Sequence, residues 1–159
     1  MNHRVGIGYD SHVFDPTRPL LLGGVEIPGA PGLMGHSDGD AVAHALMDAL
    51  LGAAGLGDIG RLFPDDDEQY RNADSMALLA TVVARLSDAG MRINNVDATI
   101  IAERPKLSPY ITGMCERLSG VLGIPMEAVS VKAKTNEGMD AVGEGKGLQV
   151  MAVASVQER

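Results

Sequence analysis

"HSDGDAVAHALMDALLGAAGLGD", residues 36–58, is the stretch that decides the fold. Ala43, Leu46, Met47, Leu50 and Leu51 recur at the three-and-four spacing of one helix face. Ser37 reads as the N-cap, and Asp40 three residues later completes a capping box. Gly55 and Gly57 end the pattern. His44 and Asp48 lie inside the run, so it is no membrane span. A helix this apolar needs a sheet to lie on, and the flanking sequence supplies one.

Upstream, residues 4–10 read as a strand. In "LLLGGVEIP" (20–28) two short strands flank Gly23-Gly24, a hairpin signal. "PGAPGL" (28–33) is a loop. Downstream, "DIGRLFPDDDEQYRN" (58–72) is an irregular acidic loop. Asp74 or Ser75 caps a second helix that runs to about Ala89 and stops at Gly90. A strand follows at 93–103, with a β-branched centre. In "RPKLSPY" the chain turns into a third helix, with Ser108 as N-cap and Pro109 at the first helical position, ending near Gly123. Residues 129–135 form a strand, 136–147 a glycine-rich loop and 148–156 a closing strand. Strands alternating with helices make the class α/β or α+β. Three helices are expected on one face of a mixed sheet of about four main strands, with a small hairpin beside it. The chain has no internal repeat, low-complexity tract or linker, so its 159 residues fit a single domain.

Hydrophobic residues make up 45% of the chain and aromatics 3%, so the core must be built from Ala, Val, Leu, Ile and Met. A net charge of −8 argues against nucleic acid or an anionic membrane as partner. A phosphate-bearing small molecule remains compatible, provided cations are placed locally. Cys115 is the single cysteine, which rules out an intrachain disulfide and suits a reducing compartment. It reads as a small core residue. The opening "MNHRVGIGYD" lacks the apolar run of a secretory leader. The expectation is a cytoplasmic protein.

Three histidines stand close to carboxylates: His12 beside Asp10, His36 beside Asp38, and His44 between Asp40 and Asp48. In "GIGYDSHVF" (6–14), Asp10 and His12 share one face of a strand end, because strand side chains alternate. His44 lies four residues after Asp40 and four before Asp48. Asp10, His12 and His44 together would offer three ligands to zinc and leave a fourth position open, as catalytic zinc sites do. The alternative is a His44 that bonds a backbone carbonyl and an Asp10–His12 pair that is merely solvated. Spacing alone leaves both open. "HSDGD" is likewise either an anion-binding helix start at Ser37 or a capped start whose acids complement the dipole. "FPDDDEQ" is either a solvated acidic loop or one anchored beside a polar site by Phe63-Pro64. Lys106, Lys132 and Lys134 sit at strand ends, where α/β proteins place ligand sites. Thr135, Asn136 and Glu137 add a hydroxyl, an amide and a carboxylate. The alternative for both segments is an ordinary surface loop. No dinucleotide fingerprint, P-loop or nucleophile elbow occurs. Without a protein nucleophile, the substrate would have to bring its own.

"GYDSHVF", "LLLGGVEIP", "HSDGDAVAHALMDALLGAAGLGDIGRLFPDDD", "NVDATIIAERPKLSPY" and "VSVKAKTNEGM", in this order, strongly resemble the 2-C-methyl-D-erythritol 2,4-cyclodiphosphate synthase family. The resemblance covers nearly the whole chain and is most specific from His36 to Asp65. It implies one cyclodiphosphate synthase domain over 1–159, of α+β class, assembling as a homotrimer with active sites between subunits. It implies conversion of 4-diphosphocytidyl-2-C-methyl-D-erythritol 2-phosphate to the cyclic diphosphate and CMP, in the non-mevalonate route to isoprenoid precursors. Cofactors would be one Zn²⁺ per site with Mg²⁺ or Mn²⁺. By the same resemblance, zinc falls to Asp10, His12 and His44, and magnesium to Glu137. Transition-state stabilisation falls to His36 and Thr135. Contacts to the methylerythritol phosphate fall to Ser37, Asp58, Ile59 and Gly60, and to Phe63, Pro64, Asp65 and Asp67. Cytidine diphosphate contacts fall to Ala102, Pro105, Lys106 and Leu107, and to Lys134, Thr135, Asn136 and Glu137.

That chemistry suits the composition. A substrate phosphate oxygen, already anionic, would attack the β-phosphorus, so the demand is for charge neutralisation and alignment. Two divalent ions let an acidic chain handle three phosphates. Two rival activities remain at this point: a metal-dependent hydrolase on the same ligands, and a non-catalytic trimeric binding protein.

The resemblance breaks at "DAVGEGKG" (140–147). Ala141 stands where an aromatic is common, Glu144 where Arg is usual and Lys146 where Glu is usual. In the family that Arg faces the trimer's central channel, where some members hold an isoprenoid diphosphate. Glutamate there predicts no such binding, and the exchanged charges suggest ion pairs kept between subunits.

Overall fold

The structure, a computed structural model, describes residues 2–159. The elements run β1 (His3–Asp15), β2 (Leu20–Leu22), β3 (Val25–Ile27), β4 (Gly32–Leu33), α1 (Ala41–Ala54), α2 (Ile59–Leu62), α3 (Ser75–Asp88), β5 (Met91–Ile101), α4 (Ile111–Leu122), β6 (Val129–Lys134), α5 (Asp140–Gly143) and β7 (Gly147–Glu158). The sheet order is β4-β1-β7-β5-β6, and β2-β3 form a separate hairpin. β7 is antiparallel to both β1 and β5, while β5 and β6 are parallel, which makes the sheet mixed. The fold is thus α+β. Four long strands match the expected count, and the two-residue β4 adds a fifth at the β1 edge.

One face of the sheet is buried under the helices. Gly8, Ala152, Ala98 and Val131 are successive cross-strand partners on that face, and all four are buried. The glycines of β1 matter most here. A Cβ on Gly8 would lie 1.8 Å from the Ala45 carbonyl oxygen, and one on Gly6 would lie 2.1 Å from that of Ala49. α1 therefore rests backbone against backbone on β1. Its own surface is buried nearly all round, Leu46, Met47 and Leu50 completely. The opposite sheet face leaves Val5, Ile7, Tyr9, Val13, Met151 and Val153 exposed, each at 43% or more.

Several boundaries differ from the sequence reading. β1 runs on to Asp15, so Asp10 and His12 lie within a paired strand, opposite Val150 and Leu148. Continued pairing with β7 overrides the polar residues that suggested an end. The cap of α1 is Asp40, not Ser37: its side chain accepts from Ala43 N. Asp40 also accepts from Gly23 N at 2.9 Å and Gly24 N at 2.7 Å. Ser37 therefore lies in the loop ahead of the helix. Ser108 caps nothing; residues Ser108–Tyr110 form a 3₁₀ turn that leads into α4. The acidic loop and the glycine-rich loop each contain a one-turn helix, α2 and α5. Gly55 and Gly123 close α1 and α4 in the left-handed conformation, at φ 72° and 67°. Asp74 caps α3, and Cys115 is a buried thiol, both as expected.

Candidate active site

The seating of α1 on β1 brings His44 over Asp10. Asp10 Oδ2 lies 2.6 Å from His12 Nε2 and 3.0 Å from His44 Nδ1. One ligand atom from each of the three lies within 4.8 Å of the others. The remaining nitrogens decide what this cluster is. His12 Nδ1 lies 2.5 Å from the Met34 carbonyl oxygen, which can only accept. His12 therefore donates there and turns a lone pair on Nε2 toward Asp10. His44 Nε2 is taken up by the Ser37 and Ser75 hydroxyls at 2.9 and 3.1 Å, which leaves Nδ1 facing the carboxylate. Two neutral imidazoles and a carboxylate would thus converge three acceptors on one point, so a cation has to sit among them. Protons on the rings can serve, as can a metal ion. Two nitrogens and one oxygen on a half-buried site suit a zinc-like ion with an open position, and the outward bond of each ring is the outer-shell support such ligands use.

The electrostatics agree. Burial of Asp10 opposes its charge, but hydrogen bonds from His12 and His44 outweigh it and hold the carboxyl below the ordinary range. Burial works against a charged His12, and its bond to Asp10 outweighs that and lifts its pKa above the usual value.

These three residues stand at the floor of a cavity of about 340 Å³ that also takes in His36, Ser37, Ile59, Gly60, Phe63 and Asp65. Met34, Met47, Tyr70 and Leu78 line it as well, and none of the four was expected from sequence. The acidic loop is anchored rather than free: the Phe63 and Tyr70 rings meet edge to face with centroids 5.2 Å apart. His36 Nε2 lies 3.1 Å from the Asp67 carbonyl oxygen and ties that loop to the segment ahead of α1. Asp58 caps α2 through Arg61 N, and Asp48 accepts from Ile59 N at 2.8 Å. Asp58, Pro64 and Asp67 themselves do not line the cavity.

A second cavity, of about 450 Å³, is lined by Ala102, Pro105, Lys106, Leu107, Lys134 and Thr135, with Glu103, Arg104, Ser108 and Ala133. It shares no residue with the first. Ser11, Gln149, Ile101 and Lys134 are aligned across β1, β7, β5 and β6. The β1 and β6 residues that flank the two cavities therefore stand three strand spacings apart, or roughly 14 Å. Asn136 and Glu137 lie just beyond. Glu103 Oε1 accepts from Asn136 N at 2.7 Å and Gly138 N at 3.3 Å, which shapes the turn in which Glu137 adopts φ 54°. Glu137 is not brought to the Asp10–His12–His44 cluster.

Asp38 and Ser75 were read from sequence only as an acid near a helix start and a helix cap. Both in fact belong to the support of His44. No local spacing signals this, because α3 meets the loop ahead of α1 only in three dimensions. At the departing loop, Glu144 pairs with Lys146 of its own chain at 2.5 Å.

Comparison with known proteins agrees with this geometry. The 2-C-methyl-D-erythritol 2,4-cyclodiphosphate synthase of Thermosynechococcus vestitus is 51% identical over 157 residues, covering 99% of this chain and 98% of that protein. The protein of that name in Pelotomaculum thermopropionicum is 54% identical over 155 residues, covering 98% and 96%. A solved structure described as IspF of Plasmodium falciparum in a CDP complex superposes with a TM-score of 0.86 at 35% identity, over 99% of this chain and 97% of that one. The YgbB family pattern matches residues 3–157. A pattern and relatives that run almost end to end, over a fold and cavity of this form, leave one assignment: the chain belongs to the YgbB family, that of the 2-C-methyl-D-erythritol 2,4-cyclodiphosphate synthases.

Proposed function

We propose that this chain converts 4-diphosphocytidyl-2-C-methyl-D-erythritol 2-phosphate to 2-C-methyl-D-erythritol 2,4-cyclodiphosphate and CMP, as a lyase of isoprenoid precursor biosynthesis. Residues 1–159 act as one cyclodiphosphate synthase domain. The observation that carries this reading is the convergence of Asp10, His12 and His44 at the floor of a cavity, in a chain of this family.

Asp10, His12 and His44 hold one Zn²⁺, and Glu137 holds Mg²⁺ or Mn²⁺. When bound, these ions supply neutralising charge for phosphate oxygens that the net charge of −8 repels. The chain's own residues bind and align. Ser37 and the segments Asp58–Gly60 and Phe63–Asp67 hold the methylerythritol 2-phosphate, and the Phe63–Tyr70 wall keeps water away from it. Ala102, Pro105, Lys106 and Leu107 take the cytidine, and Lys134, Thr135, Asn136 and Glu137 take its diphosphate; the CDP complex of the Plasmodium falciparum relative supports a cytidine ligand. An anionic oxygen of the 2-phosphate attacks the β-phosphorus. The new P–O bond closes the ring, the bond from the β-phosphorus to the bridging oxygen breaks, and CMP leaves with the electron pair. No protein base is required. His36 and Thr135 donate hydrogen bonds to oxygens on which charge builds.

The site is completed between subunits of a homotrimer. Two supports are the three strand spacings, roughly 14 Å, between the strands that flank the two cavities within one chain, and the exposed apolar row Val5–Ile7–Tyr9 with Met151 and Val153, which a neighbour would cover. The Glu144–Lys146 pair supports a trimer axis that does not take an isoprenoid diphosphate. The charge balance and lone thiol favour the cytoplasm. Among the described residues, no helix is long and apolar enough to cross a membrane.

Incubation with the diphosphocytidyl substrate and Mg²⁺, followed by phosphorus NMR, is the test. Cyclic diphosphate with stoichiometric CMP is expected. CMP with an open-chain diphosphate would overturn the reading in favour of a hydrolase, and light scattering that reported a stable monomer would remove the shared site.

A further inference from the structure

Ser75, the first residue of α3, is fully buried. Its Oγ lies 3.1 Å from His44 Nε2. The same hydroxyl bonds Asp38 Oδ1, while the Ser75 N–H donates to Asp38 Oδ2 at 2.9 Å. Asp38 is held in turn, through its own N–H to the Ala73 carbonyl at 3.1 Å. The other neighbour of His44 Nε2 is Ser37 Oγ, at 2.9 Å, which accepts from Gly39 N at 3.3 Å.

The direction of these bonds follows from proton counting. A hydroxyl has one proton, and an ionised carboxylate only accepts. The Ser75 proton is therefore committed to Asp38, and Ser75 Oγ is left to accept from His44. Toward Ser75 Oγ, Nε2 is thus the donor, and a neutral His44 with its hydrogen on Nε2 keeps its lone pair on Nδ1, the nitrogen that faces Asp10 at 3.0 Å. Were the Ser75 hydroxyl free to turn, it could donate to Nε2. The ring proton would then move to Nδ1, and the site would lose a ligand.

We infer that Asp38 and Ser75 are positioning residues that set the tautomer of His44 and so make its Nδ1 available to a metal ion. The inference rests on the metal-site reading above. It adds a charge-to-hydroxyl relay reaching His44 from α3, where His12 uses the backbone carbonyl of Met34 for the same purpose.

Asp38→Asn tests the polarity of the relay with little change of shape. The carboxylate accepts on both oxygens, Oδ1 from the Ser75 hydroxyl and from Asp40 N at 3.1 Å and Oδ2 from Ser75 N at 2.9 Å. The amide keeps one acceptor, and with that oxygen on Ser75 N its NH₂ faces Ser75 Oγ and donates. Ser75 then turns its proton to His44. Two measurements are made on wild type, Asp38→Asn and Ser75→Ala: nitrogen–proton correlation spectra of the His44 ring in metal-free protein at alkaline pH, and Zn²⁺ titration against a competing chelator. Wild type is expected to show the Nε2–H tautomer. Asp38→Asn should shift it toward Nδ1–H and bind Zn²⁺ about 10- to 100-fold more weakly, and Ser75→Ala should weaken binding in the same direction. A folded Asp38→Asn with wild-type ring spectra and wild-type Zn²⁺ affinity overturns the inference. Wild type that takes up no Zn²⁺ overturns the metal-site reading instead, and the ring spectra still decide the tautomer.

Discussion

His44 Nδ1 lies 3.0 Å from Asp10 Oδ2 because the helix that carries the first rests directly on the strand that carries the second. Gly8, two residues before Asp10, marks the closest approach, with the Ala45 carbonyl where a side chain would begin. The Asp10–His12–His44 cluster thus depends on the absence of a methyl group on β1. Gly8→Ala should force α1 off the strand. Overpacking of this kind, backbone against backbone, should cost about 3 kcal/mol or more. Urea unfolding checks the loss, and metal analysis should find Zn²⁺ occupancy reduced along with it.

Asp40 joins the β2–β3 hairpin to α1. Its carboxylate takes the N–H groups of Gly23 and Gly24 in the hairpin turn and of Ala43 in α1. Asp40→Ala leaves two buried donors and one half-buried donor without partners, each buried one worth about 1–3 kcal/mol. A loss of about 3 kcal/mol or more is expected, read as a fall in the urea midpoint at unchanged slope. Asp40→Asn, which keeps one acceptor oxygen, should lose less.

Thr135 lies at the end of β6 beside the second cavity. As a donor to developing charge, its removal should act on turnover. Thr135→Ala is expected to lower kcat by about 10²–10³-fold, equivalent to about 2.7–4 kcal/mol, with Zn²⁺ content unchanged. Wild-type kcat in this variant would remove Thr135 from the mechanism.

Glu103 holds the Glu137 turn through the N–H groups of Asn136 and Gly138. Glu103→Ala should loosen that turn without touching the zinc ligands. The Mg²⁺ concentration for half-maximal activity should rise about tenfold or more, while Zn²⁺ affinity stays at the wild-type value. A parallel loss of both metals would point to general unfolding.

Cys115 is 8% exposed on α4, and burial pushes its thiol pKa up even though a hydrogen bond with the Val131 backbone lowers it. A thiol that is both covered and slow to ionise reacts poorly. Alkylation under native conditions should leave Cys115 unmodified for as long as the fold persists. Mass spectrometry should find one adduct only after denaturant is added.

Local pattern determined much of this protein. The hairpin at Gly23-Gly24, the apolar periodicity of α1, the Asp74 cap and the β-branched core of β5 are decided by residues within a few positions of one another, and they form much as read. The α1 cap was misread, because Ser37 and Asp40 are both good caps in isolation. Asp40 prevails because it also meets the N–H groups of Gly23 and Gly24. The ends of β1 were misread because pairing with β7 carries a strand through polar residues that would otherwise end it. Spacing could propose Asp10, His12 and His44 as ligands but could not join them, since 32 residues separate His12 from His44. The family resemblance named the set, and the contact of α1 with β1 brings it together. The partners that orient it, the Met34 carbonyl for His12 and Asp38 with Ser75 for His44, come from segments that carry no signal for one another. Only tertiary packing decides which nitrogen of each imidazole faces the carboxylate, because that depends on the proton each ring gives away on its far side.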